Sequence, residues 1–221
     1  MSLPIHATES RHPGWFEAPF QPYHSRGYIF SAEDRLREAA EEKFLTAEEF
    51  SGLPDENLKQ ELVSGYVVSE PVPGFRHGLV LMRLGTILSE FVRSRSLGVV
   101  PGADSGFILA RSPDTVRGPD VSFVTKERFE ALGAIPGYFP GPPDLAAEVL
   151  SPGDRPATVR GKVADYLASG ARLVWIVDPE KRRVTVHRTV LSPRTLEAED
   201  ILEGEDVLPG FRVKVSDLFE I

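Results

Sequence analysis

The amino-acid sequence predicts a mixed α/β fold of the α+β kind, with a central sheet of parallel and antiparallel strands flanked by helices. Three observations carry this. Residues 77–96 and 154–168 have apolar side chains at helical spacing, short apolar runs bounded by Gly, Pro, Asp and Ser lie around them, and the second helix separates two buried runs at 144–150 and 173–177. A helix between two buried strands is the crossover that parallel pairing requires, whereas the earlier runs lie close enough for antiparallel hairpins.

Residues 1–30 mix Pro, Gly, His and aromatics, among them Trp15, Phe16, Phe20 and Tyr23, without periodicity and are expected to form an irregular arm. Ser31 is placed to cap a charged helix over 32–44, and Thr46 with Glu49 three residues on forms a capping-box pattern that opens a second, short helix. The arm and first helix, 1–43, are therefore expected as an addition to one domain spanning 44–221. Apolar segments on either side of Ser64-Gly65 predict a hairpin over 60–70. Val80, Leu81, Leu84, Ile87, Leu88, Phe91 and Val92 then mark the buried stripe of the long helix.

Strands are expected at 98–101, 107–110 and 119–125, then a short helix at 126–132 and a Gly/Pro-rich loop at 133–143. The run 144–150 is apolar except for Glu148. In the helix at 154–168, Val159, Val163, Tyr166 and Leu167 share one side and Gly170 stands just beyond the end. A buried strand at 173–177 ends in Asp178-Pro179, another follows at 184–190, and 207–219 reads as a last strand and a terminal turn. There is no internal repeat and no low-complexity tract.

A length of 221 residues suits one such domain, and 41% hydrophobic with 26% charged residues is an ordinary globular composition. No apolar run approaches the roughly 20 residues that span a bilayer, so no membrane association is expected. Residues 1–27 lack the basic start and apolar middle of a secretion signal, which makes the cytoplasm the expected location. The chain has no cysteine, which excludes disulfides, thiolate-bound zinc and thiol nucleophiles. A net charge of −8 and a pI near 5.2 speak against a broad basic surface that coats nucleic acid, but are compatible with a cleft where positive charge gathers above metal-binding carboxylates. No Gly-x-Gly spacing follows a strand, which disfavours nucleotide-cofactor enzymes.

The chemistry is expected from five residues. Asp120 begins an apolar strand and Glu148 lies inside one, where an ionised carboxylate is costly unless a cation or hydrogen bonds compensate it. Two carboxylates on neighbouring strands can share a hard cation such as Mg²⁺, with Mn²⁺ an alternative, and leave water positions open. Lys162 falls on the sheet-facing edge of its helix, where an ammonium can orient water or offset charge at phosphorus. Glu61 in the hairpin and His77 on the buried side of the long helix form a second tier, able to support a second metal, accept a proton or contact the leaving group. Each also has an ordinary reading: Asp120 as a strand-start residue, Lys162 as a solvated lysine, His77 as a helix cap, and Glu61 as the partner of Lys59 or an arginine. Tyr166 and Trp175 read as core aromatics with a polar edge, Asp178 as a turn residue, and Asp104 and Asp144 stay outside the catalytic set.

The combination of Glu61-Leu-Val-x-Gly, His77 opening a helix, Pro119-Asp120-Val, Asp144-Leu-x-x-Glu148-Val-Leu-Ser151-Pro152, Lys162-x-x-x-Tyr166 and Trp175-x-Val-Asp178-Pro179 resembles the Uma-type endonucleases of the PD-(D/E)xK superfamily over roughly residues 44–221. The resemblance implies a restriction-endonuclease-like core, a metal held by Asp120 and Glu148, and hydrolysis of phosphodiester bonds in DNA. Two residues after Glu148, where the superfamily pattern has lysine, this chain has Leu150; Lys162 on the following helix fits the lysine's role. The reading that follows is a Mg²⁺-dependent endonuclease acting on DNA, expected to be a homodimer because a duplex has two strands to cut. The alternative, favoured by the acidic charge and Leu150, is an inactive nuclease-fold module that binds nucleic acid or protein. A third reading is hydrolysis of another phosphorylated molecule at the same site.

Overall fold

Thr46 and Glu49 cap each other: the Glu49 N–H donates to the Thr46 hydroxyl at 3.1 Å, and the Thr46 N–H donates to the Glu49 carboxylate at 2.9 Å. This capping box starts α1 (Ala47–Ser51) in the computed structural model, which describes residues 44–54 and 59–220. The expected arm and all but the last residue of the helix at 32–44 lie outside the described residues; that last residue, Phe44, is not helical. The predicted hairpin forms as β1 (Lys59–Val63) and β2 (Tyr66–Glu70). Its turn residues Ser64 and Gly65 both have positive φ, 51° and 83°, the geometry that suits the twist of paired strands. A Cβ at position 65 would stand 2.6 Å from that of Phe44, so glycine is required there for space as well as for φ.

The long helix α2 (Phe75–Arg95) buries His77, Val80, Leu84, Leu88 and Val92, one stripe at three- and four-residue spacing. Then come β3 (Gly98–Val99), β4 (Phe107–Ala110), β5 (Thr115–Arg117), β6 (Val121–Thr125), α3 (Lys126–Leu132), β7 (Phe139–Pro140) and β8 (Leu145–Val149). Helix α4 (Pro156–Ser169) leads to β9 (Leu173–Asp178), β10 (Arg183–His187), β11 (Arg194–Leu196), β12 (Ile201–Glu203), β13 (Arg212–Lys214) and a final 3₁₀ turn, Val215–Leu218. Strands β5, β7, β11 and β12 were not anticipated, because two or three residues are too few to show alternation.

The strands make a six-stranded sheet in the order β11-β10-β9-β8-β6-β3, a five-stranded sheet in the order β2-β1-β5-β4-β7, and the ribbon β12-β13. The larger sheet is mixed, as expected: β8 and β9 are parallel and joined by the α4 crossover, and its other pairs are antiparallel. The early hairpin, however, belongs to the second sheet. The chain changes sheets at Gly118-Pro119 between β5 and β6, and proline has no N–H to continue a ladder.

Alternation along β8 sends Leu145, Ala147 and Val149 into the core beneath α2, together with Val121, Phe123 and Trp175. Ala146 and Glu148 face the other side, where Ala146 packs with Val163 and Tyr166 of α4. The sheet's pleat thus aims Glu148 at α4. Helix α2 on one face and α4 on the other give the layered arrangement in which the carboxyl ends of β8 and β9 open between helix starts.

Candidate active site

In the antiparallel register of β6 and β8, Val121 is opposite Ala147, so one step further Asp120 comes opposite Glu148. The main-chain N–H of Val149 donates to Asp120 Oδ2 at 2.7 Å, fixing the two carboxylates at one end of adjacent strands. His77 Nε2 lies 3.1 Å from the same oxygen. His77 Nδ1 is buried and has no partner among the described residues. On the α4 side, Tyr166 donates its hydroxyl to Glu148 Oε1 at 2.7 Å and Lys162 Nζ stands 3.2 Å from Oε2. Lys162 and Tyr166 are four residues apart on one helix face, so one turn of α4 grips both oxygens of Glu148.

The second sheet supplies the rest. Lys162 Nζ is 2.5 Å from Glu70 Oε1 and 3.8 Å from Glu61 Oε2. Glu61 accepts from Arg117 Nη1 at 2.7 Å and from the Gly118 N–H at 3.0 Å, and Arg117 also donates to Asp165 through Nε and Nη2 at 3.0 and 2.6 Å. Lys59, paired in register with Glu70, places Nζ 2.8 Å from Asp104 and 3.4 Å from Asp120. A Cβ on Gly118 would come 3.1 Å from the Asp104 backbone, so a glycine there lets the Asp104 loop close on Lys59.

All five predicted residues therefore converge, and Lys59, Glu70, Arg117, Asp104 and Tyr166 join them. Asp144 stands apart: it accepts from the Thr125 N–H and from Arg128, a structural role at the opposite end of β8. Asp178 accepts from the N–H groups of Glu180 and Lys181 and is the turn residue it resembled. A signal for Lys59 existed in its two-residue offset from Glu61, which puts both on one face of β1. Arg117 gave none beyond being a charge next to Gly118-Pro119-Asp120.

Six carboxylates (Glu61, Glu70, Asp104, Asp120, Glu148, Asp165) meet three permanent cations (Lys59, Arg117, Lys162), with His77 a fourth when protonated. Burial, reinforced by the charges of Asp120 and Glu61, outweighs Lys162 and pushes the Glu148 carboxyl up to about 7. Burial acts to raise Asp120 as well, but hydrogen bonds from His77 and the Val149 N–H and the charge of Lys59 hold it below the usual carboxylate range. Burial would lower Lys162, yet Glu148, Glu61 and Glu70 more than reverse this and keep the ammonium charged. Lys59 is raised in the same way by Asp120, Glu148 and Asp104. For His77, burial is overcome by the hydrogen bond and charge of Asp120, so its pKa is raised.

This donor set fits a hard divalent cation. Asp120 and Glu148 offer oxygen on adjacent strands in a cluster short of positive charge. Among the described residues no three Asp, Glu or His side chains gather as a ready cage, so a cation there would need water to complete its shell, as is usual for Mg²⁺.

A mixed sheet with two carboxylates at one end and a lysine on the crossover helix defines a protein of the restriction-endonuclease-like class. The chain belongs to the Uma2 family, described as "Putative restriction endonuclease", whose model matches residues 47–216. A crystal structure of a "putative nuclease belonging to DUF820" from Anabaena variabilis ATCC 29413 superposes with a TM-score of 0.70 at 22% sequence identity, covering 79% of this chain and 97% of that one. That likeness shares the fold. No curated protein matches the chain. Among the described residues no helix is long and apolar enough to cross a membrane.

Proposed function

We propose that the chain is a divalent-metal-dependent endodeoxyribonuclease whose nuclease domain spans residues 44–221, residues 1–43 being a separate arm, and whose reacting centre is Asp120, Glu148 and Lys162. The observation that carries this reading is the meeting of the three: Asp120 held by the N–H of the residue after Glu148, and Lys162 within 3.2 Å of Glu148. Asp120 and Glu148 would hold the cation, Mg²⁺ or Mn²⁺. When bound there, a divalent cation supplies Lewis acidity and neutralises charge at a phosphoryl oxygen.

The chain's own residues do the remainder. Lys162, kept protonated by three carboxylates, orients the attacking water and offsets negative charge developing on the phosphate. His77, sharing a hydrogen bond with Asp120, and Tyr166, donating to Glu148, fix the carboxylates in place. Glu61 acts through Arg117: clamped by that guanidinium and the Gly118 N–H, it holds Arg117 where it reaches Asp165 of α4. The substrate is DNA, and a homodimer places one such centre on each strand of a duplex.

A second reading, a module that binds without cutting, draws on the fact that both oxygens of Glu148 and both oxygens of Asp120 already have hydrogen-bond partners. One experiment separates the two: calorimetric titration of wild type and Glu148→Ala with Mg²⁺ and Mn²⁺, with plasmid nicking assayed on the same samples. The nuclease reading expects metal binding that the variant loses and nicking that only the wild type shows. Wild type that neither binds metal nor nicks any DNA would establish the inert module instead.

A further inference from the structure

Between Glu70 and His77 the chain makes a short rim over the active site. One end is tied by the ion pair of Glu70 with Lys162 at 2.5 Å, and the other by His77 against Asp120 at 3.1 Å. Two prolines, Pro71 and Pro73, stiffen the segment. It nevertheless presents two large apolar side chains to solvent: Val72 is 83% exposed and Phe75 85%. Space beside them is open, since a Cβ at Gly74 would meet nothing within 4 Å. The neighbouring Arg76 is exposed and has no ion-pair partner among the described residues.

An exposed aromatic on a stiff rim suits one kind of ligand in this position. Every nucleobase has a flat π-face, and stacking on an aromatic side chain works without sequence preference. The reach also fits. Phe75 and His77 lie two positions apart, on opposite sides of α2, so the ring stands about one helix diameter, roughly 10 Å, from the carboxylates. At about 3.4 Å per nucleotide along a strand, that is about three nucleotides from the phosphate under attack. Charge argues the same way. A net charge of −8 weakens binding through phosphates alone, which gives contacts to the bases more weight.

We infer that the Pro71–Gly74 rim with Phe75 is a base-stacking wedge: Phe75 stacks on a nucleobase near the scissile phosphate while Arg76 takes an adjoining phosphate, so that the protein selects DNA with unpaired or easily unstacked bases. This rests on the nuclease reading above for its position on the substrate, but binding alone can test it. The probes are oligonucleotide duplexes, fully paired or with a central unpaired loop, carrying 2-aminopurine in the loop or at the matching paired position. Wild type, Phe75→Ala and Phe75→Tyr are compared by 2-aminopurine fluorescence, by binding in EDTA, and by nicking in Mg²⁺.

The wedge predicts tighter binding to the looped probe, quenching of 2-aminopurine on binding, roughly tenfold or greater loss of that affinity in Phe75→Ala, and recovery in Phe75→Tyr. Wild type that binds the looped probe in this Phe75-dependent way yet nicks nothing would support the wedge and defeat the nuclease reading. Equal affinity of Phe75→Ala and wild type for both probes would overturn the wedge even if nicking is normal. So would binding to neither probe, or Phe75→Ala changing the oligomeric state by light scattering in place of DNA affinity, which would make Phe75 a subunit contact.

Discussion

Tyr166 donates its hydroxyl to Glu148 Oε1 at 2.7 Å, with both residues buried, and Lys162 one turn earlier on the same helix takes the other oxygen. A carboxylate sunk in an apolar strand is thereby supported by one phenol and one ammonium, both from α4. The pair explains why a strand as apolar as β8 tolerates an acid. It also makes α4 the element whose position decides the charge at the site.

Tyr166→Phe keeps the ring in the core and removes only the donor. A hydrogen bond to a charged group contributes about 1.5–3 kcal/mol, so the variant should unfold at lower urea concentration by a stability loss of that order. The acid form of Glu148 should also become more favoured. Urea denaturation at pH 8 followed by far-UV circular dichroism checks it, and an unchanged midpoint would mean that water replaces the phenol.

The raised Glu148 carboxyl gives a pH dependence of definite sign. The unfolded chain releases this proton near 4.5 and the folded chain at about 7, so between those values the folded state binds more protons and its stability falls as pH rises. A divalent cation held by Glu148 would have to displace the same proton. Mg²⁺ affinity should therefore rise about tenfold per pH unit up to about 7 and level off above it. Calorimetry at pH 6 in buffers of different ionisation heat should show about one proton released per cation, and close to none at pH 8.

Arg117 is the cation that joins the five-stranded sheet to α4, bridging Glu61 of β1 to Asp165 of α4. It is buried, as is Glu61, whereas the Asp165 side chain is 33% exposed. Arg117→Met leaves buried Glu61 with only the more distant Lys162, at 3.8 Å, as a counter-charge and should cost about 3 kcal/mol. Asp165→Asn removes the more exposed partner and should cost about 1 kcal/mol or less. Thermal unfolding of both variants tests the order. Equal losses would mean that the bridge to α4, and not the burial of Glu61, sets the energetics.

What the sequence disclosed of this site follows from where each charge stands. Glu148 is legible because an acid within an apolar run demands compensation, and Lys162 because helical spacing places it on the sheet side. Asp120 is legible because it begins an apolar run, where its carboxylate can emerge at the sheet's edge. Lys59, Glu70 and Arg117 are not legible in the same way, since each lies on a half-solvated or very short strand where charge is common. Their partners are reached across two sheets, and no local spacing encodes that meeting. The fold shows the same division. The α4 crossover and the β1–β2 hairpin are local patterns, but the change of sheet at Gly118-Pro119 depends on what β5 pairs with, and three residues of β5 carry no period.

Arg155 at the N-cap of α4 and Arg160 within its second turn are exposed and have no ion-pair partner among the described residues. Both follow β8 at the edge where Glu148 and Asp120 lie, so a DNA strand reaching those carboxylates would pass beside them. Phosphate contacts release counterions, and each one lost should flatten the plot of log affinity against log salt by about 0.9. Arg155→Ala and Arg160→Ala should each weaken binding to all duplexes alike and reduce the salt slope by about that amount. Nicking at saturating DNA should change little, because neither guanidinium touches the reacting phosphate. Fluorescence anisotropy over a salt series makes the measurement. A slope unchanged in both variants would place the duplex on another path to the site, leaving Arg76 and the rim before α2 as the approach.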